Sequence, residues 1–116
     1  MSNTPLNLCL VWSTPHREVA LNMVFMYSGN ALIRGWWEQV RLILWGPSQP
    51  LLLGDKELQS HLSELTEAGV ELMACRACAE NYGIASDLEA LGLNVKHTGS
   101  LLTETLKDDN WRVLTI

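Results

Sequence analysis

Short apolar runs alternate strictly with segments punctuated like helices, and this alternation restricts the fold more than any other feature. Leu6 to Trp12 reads as a first, central strand that ends at Ser13-Thr14-Pro15. Thr14 then suits an N-cap and Pro15 a first helical position, which predicts a helix from about Pro15 to Ile33. Gly35 breaks that pattern, and Val40 to Trp45 reads as a second strand closed by Gly46-Pro47. Asp55 is the expected N-cap of a helix to about Ala68, with Leu58, Leu62 and Leu65 on one face and Gly69 as its end. Val70 to Ala74 is a third strand, and Ser86-Asp87-Leu88-Glu89 has the capping-box pattern of a short helix that Gly92 closes. Leu93 to His97 reads as a fourth strand. Ser100 is expected to cap a helix to about Lys107, and Trp111 to Ile116 is the last strand. Such β-α-β alternation predicts an α/β fold with three layers, a mainly parallel five-stranded sheet with helices on both faces.

Residues 1–116 suffice for one such domain and leave no room for a second. Nearly half the residues are hydrophobic and only 18% are charged, so the sheet is covered on both faces or part of the surface is buried in an oligomer. The run from Val19 to Tyr27 is apolar nearly all round, which predicts a helix buried on more than one side, the second side being another subunit. The eight Lys and Arg residues are scattered and the formal charge is −5, which argues against nucleic acid as a partner. No basic-then-apolar leader is evident in Met-Ser-Asn-Thr-Pro-Leu, and no run approaches the roughly 18 to 20 apolar residues that cross a bilayer. A cytoplasmic protein without membrane attachment is expected. Ser48-Gln49-Pro50-Leu51-Leu52-Leu53-Gly54 reads as a loop: either a turn that lays leucines on the sheet, or a flap beside the cysteines. The five tryptophans fall mostly at predicted strand ends, where core and subunit packing is their expected use.

Two of the three cysteines, Cys75 and Cys78, stand where the third strand hands over to helix-start chemistry. An odd count with one C-x-x-C pair fits reduced, reactive thiols better than a disulfide framework. Cys75 sits at the carboxyl end of a strand, the edge where α/β sheets collect reactive groups. A nearby helix start and its unpaired N–H groups favour the thiolate, the nucleophilic form. Arg76 adds a positive charge if it turns toward the sulfur. Cys78 lies on the same side of a helical turn as Cys75, placed to resolve a sulfur-loaded Cys75 or simply to fill space. Cys9, inside the first strand, reads as a core residue.

A metal site needs further ligands, and His16, His61 and His97 show no ligand spacing with the pair, so no metal is expected. Of the three, only His16 falls at the same carboxyl edge as the cysteines; His61 belongs on an outer helix face in solvent. The chain has no G-x-G-x-x-G, P-loop, H-E-x-x-H or G-x-S-x-G pattern. Thioredoxin-like chemistry also uses C-x-x-C, but that fold places its pair after an early strand opposite a cis-proline, and neither Pro47 nor Pro50 is so placed.

Over almost its whole length the chain resembles the DsrE/DsrF-like family of small sulfur-relay proteins. The residues that carry this are Trp45-Gly46-Pro47-Ser48, the run Glu71 to Ala79 and the close Tyr82-Gly83-Ile84, with Leu88 to Gly92 and Trp111 to Ile116 adding to it. The spacing C-x7-G-I from Cys75 to Ile84 is similar to that of sulfur-carrier subunits of the TusD and DsrE type. The resemblance implies an α/β domain of flavodoxin-like topology, assembled as homotrimers or homohexamers. It also implies no cofactor, and a persulfide carried on Cys75 between a sulfur donor protein and an acceptor protein. Cys78 within the motif is a departure, since carrier subunits need not have it. Two other readings use the same residues: a non-catalytic oligomeric binding subunit with structural cysteines, and a dithiol redox protein cycling a Cys75–Cys78 disulfide.

Overall fold

The computed structural model describes residues 4–116, so the first three residues of the amino-terminal stretch read above lie outside it. The chain runs β1 (Asn7–Trp12), α1 (Arg17–Val19), a π-helical segment (Ala20–Phe25) and α2 (Met26–Ile33). It continues through β2 (Gln39–Leu44), α3 (Ser48–Leu53), α4 (Lys56–Ser60), α5 (Leu62–Ala68) and β3 (Glu71–Cys75). Then follow α6 (Arg76–Tyr82), α7 (Ala85–Ala90), β4 (Asn94–Lys96), α8 (Thr98–Lys107) and β5 (Trp111–Thr115).

The five strands form one sheet in the order β4-β3-β2-β1-β5, and every pairing is parallel. Every residue of β1 is buried, as a strand with neighbours on both edges and helices on both faces requires. The layered arrangement is the one the alternation predicts, but the strand order is not the 2-1-3-4-5 order of flavodoxin-like folds. Here β2, β3 and β4 step in one direction from β1, and only β5 returns to its other side. Because a right-handed crossover puts its helix on a face set by the direction of the step, all helices before β4 cover one face and α8 alone the other.

The two cores show that division. The larger joins Leu8, Leu10, Trp12, Leu42, Leu44, Leu72 and Ala74 of the strands to Val24, Phe25, Leu52, Leu58, Leu65, Ala79 and Leu88 of the helices. The smaller gathers Cys9, Val11, Ile43 and Met73 under Leu101, Leu102 and Trp111. Cys9 is thus a core residue, as expected of a thiol inside a central strand.

Several helix starts differ from their sequence signals. The first helix begins at Arg17, and Thr14 serves the turn before it by accepting the His16 N–H at 3.2 Å. Ser86 and Ser100 lie inside α7 and α8 and cap neither. Asp55 is the N-cap of α4, accepting the Leu58 N–H at 3.1 Å, and Gly69 ends α5 at φ 102°. The stretch read as a loop is the helix α3, with Leu52 buried and Leu51 half-buried. Its prolines do not prevent this, because Pro47 stands before the first turn and Pro50 within it, where N–H groups have no helical acceptor. The face of the first helix opposite the core is open, with Met23, Met26 and Ile33 exposed, as is Trp36 beyond its end.

Candidate functional site

Cys75 is the last residue of β3 and the N-cap of α6. Its backbone is held on the β4 side by pairing opposite Lys96, and its carbonyl accepts a hydrogen bond from the Gln49 side chain at 3.0 Å. The residue is only 5% exposed, while Cys78, one turn into α6, is half-buried. Both are free thiols.

Three features surround the Cys75 sulfur. The amides of Ala77 and Cys78 stand at the open first turn of α6; the Thr98 hydroxyl comes from the first residue of α8; the Cys78 thiol is adjacent. Burial pushes the Cys75 thiol up. Hydrogen bonding from the Cys78 amide, the Thr98 hydroxyl, the Cys78 thiol and the Ala77 amide outweighs it, leaving the pKa below the usual thiol value. Cys78 moves the other way: burial raises it, the bond it gives Cys75 and the charge there raise it further, and the Gly46 amide offsets part of this. The two opposed shifts favour charge on Cys75 over charge on Cys78. Neither a side-chain cap bond at Cys75 nor a partner for Thr98 Oγ1 meets ordinary hydrogen-bond geometry in the structure. A neutral thiol is a weak acceptor.

The surrounding loops are fixed by the same edge of the sheet. Gly46, at φ 73°, turns the chain from β2 into α3 and brings its amide to Cys78. Ser48 donates to the Trp12 carbonyl, and Gln49 bridges the Leu44 and Cys75 carbonyls, tying the ends of β1, β2 and β3 together. Arg76 turns its side chain to β4 and α7. Its guanidinium donates to the Val95 carbonyl at 2.7 Å and lies 3.6 Å from Glu89.

His16 is exposed ahead of α1 and is not among the groups acting on either thiol. His61 is not simply solvated: it packs on Phe25 with ring centroids 5.6 Å apart and lies 3.7 Å from Glu64. Among the described residues no three His, Cys, Asp or Glu side chains gather as a metal-binding set. Nor is any helix among them long and apolar enough to cross a membrane. Sequence reasoning missed Gln49 and Thr98, which meet Cys75 only through the strand order.

The model of the DsrE/DsrF-like family matches residues 4–116. The chain belongs to the DsrE/DsrF-like family. A solved relative is the conserved protein of unknown function BT1422 from Bacteroides thetaiotaomicron. It is 37% identical, with 96% of this chain and 95% of that one covered and a TM-score of 0.90. The ychN protein from E. coli is 19% identical over 97% of this chain and 100% of its own, with a TM-score of 0.70, and shares the DsrE-like fold. A search of curated proteins finds no match.

Proposed function

We propose that this DsrE/DsrF-like chain is a cytoplasmic sulfur-relay protein that carries sulfane sulfur as a persulfide on Cys75. The observation that carries the reading is the set of donors gathered around one sulfur at the sheet edge, the Ala77 and Cys78 amides and the Thr98 hydroxyl. In the loading step the Cys75 thiolate attacks the outer sulfur of a donor persulfide R–S–SH. The donor S–S bond breaks, R–S⁻ leaves with the electron pair, and Cys75–S–SH forms. In the release step an acceptor thiolate attacks that outer sulfur and Cys75 leaves as thiolate. Neither step changes the total oxidation state, so no redox cofactor is required. Cys78 serves as an optional proton source for the leaving Cys75 sulfur.

Free thiols in all three cysteines support a reducing compartment. The exposed Met23, Met26, Ile33 and Trp36 support self-association as a homotrimer or homohexamer. The test is incubation with glutathione persulfide followed by intact mass. The wild type and Cys78→Ser gain one sulfur, whereas Cys75→Ser does not. Equal loading of Cys75→Ser removes the assignment.

The contact between the Cys78 thiol and Cys75 favours a second reading, a dithiol that cycles a disulfide. Half-oxidation in a glutathione buffer within the cytosolic range of roughly −220 to −320 mV, without sulfur loading, selects that reading.

A further inference from the structure

Among the described residues three buried side-chain atoms lack hydrogen-bond partners: Asn7 Oδ1, Gln49 Oε1 and Thr98 Oγ1. The first two are carbonyl-type oxygens and can only accept. Thr98 Oγ1 alone carries a proton to give. The residue is 1% exposed, so the hydroxyl has no water to fall back on, and leaving it unpaired costs about 1 to 3 kcal/mol.

Its place in the helix explains why the proton is free. Thr103 and Thr105, further along α8, turn their hydroxyls back to the Gly99 and Leu101 carbonyls at 2.9 and 2.7 Å. Thr98 is the first residue of α8, with no preceding turn whose carbonyl could accept. Its place in the sheet explains where the proton goes. β4 pairs with β3 so that Cys75 lies opposite Lys96, and the chain then rises into α8 beside the Cys75 sulfur.

We infer that Thr98 is a catalytic hydroxyl of this site, donating to the ionised Cys75 sulfur and holding that sulfur as the attacking and leaving thiolate. The inference takes from the proposed function only that Cys75 is the reacting sulfur. The hydroxyl binds the charged form and not the neutral thiol, so it stabilises each state in which the sulfur bears charge. The same threonine with its hydroxyl replaced by a methyl fills the same space and leaves the thiolate to the two amides.

The test is the rate of Cys75 alkylation by iodoacetamide as a function of pH, read by peptide mass in the full chain. It needs no sulfur donor, so its outcome is independent of whether Cys75 loads a persulfide. Thr98→Val is expected to react about tenfold more slowly than wild type at neutral pH, the loss of one hydrogen bond to a charged group. Its profile is displaced toward higher pH, and the two rates converge in alkali. Thr98→Ser is expected to return to within about twofold of wild type, since it keeps the hydroxyl. If Thr98→Val is unfolded by circular dichroism, Thr98→Ala, which only removes atoms, is put through the same profile and is expected to show the same displacement. A profile for the valine or alanine variant that overlays wild type overturns the inference. So does a serine variant as slow as valine, which would assign the effect to the lost methyl.

Discussion

The side-chain amide of Gln49 donates to the backbone carbonyl of Cys75 at 3.0 Å, from a residue with no solvent exposure. The same nitrogen reaches the Leu44 carbonyl at 3.0 Å, so one side chain closes the ends of two neighbouring strands. Replacing it with Leu keeps the bulk and strands both carbonyls, at about 1 to 3 kcal/mol for each left without water. Gln49→Leu is therefore expected to lower the urea midpoint with an unchanged slope. A midpoint equal to wild type would show that the bridge contributes nothing.

Cys9 supplies a pH dependence of the fold. Burial, partly offset by the Arg41 charge and reinforced by Glu71, pushes its thiol up to about 11 from 9.0. A raised pKa in the folded state means that the unfolded chain loses this proton first. The contribution is whole below pH 9 and is lost as the pH rises toward 11. Cys9→Ala is expected to be less stable than wild type at pH 7, from the lost volume, but to lose less stability between pH 9 and pH 11. Parallel stability curves for the two proteins across that window would contradict this.

Arg76 follows the cysteine directly, yet its charge is spent on β4 and α7 through Val95 and Glu89. Arg76→Met is expected to leave the neutral-pH alkylation rate of Cys75 within about twofold of wild type, while loss of the Val95 bond lowers stability by about 1 kcal/mol. A rate reduced as far as expected for Thr98→Val would instead place the guanidinium among the groups that stabilise the thiolate.

Gly46 holds φ 73°, and a Cβ built there meets nothing within 4 Å. The cost of Gly46→Ala is thus conformational alone, about 1 kcal/mol. Relaxation of the strained turn would also withdraw its amide from Cys78, so Cys78 alkylation should slow while Cys75 alkylation holds. A stability equal to wild type would mean that the turn readily adopts another conformation.

The open face of the first helix tests self-association. Met26→Glu combined with Ile33→Glu is expected to reduce the solution mass from three or six chains to one, measured by light scattering. A wild type that is already a single chain removes the oligomer from the proposed function.

The strands were legible because burial on both faces writes them as unbroken apolar runs; β1 was expected at Leu6 to Trp12 and lies at Asn7–Trp12. α3 was not legible, since Pro47 and Pro50 signal a turn unless both fall at a helix start, where a missing N–H costs nothing. Ser100 was a plausible cap, but α8 starts at Thr98, and this shift leaves the Thr98 hydroxyl without a helical acceptor. Cys75 could be singled out from its local surroundings, strand before and helix after. Gln49 and Thr98 could not, because their meeting with Cys75 depends on β2 and β4 being the two neighbours of β3.

Cys75 ends a strand flanked on both sides and begins a helix, and just 5% of it meets solvent. A sulfur mounted in this way is a fixed berth rather than a swinging arm. Any thiol that exchanges with it has to travel the whole distance, and must bring a shape slender enough to reach a recessed atom.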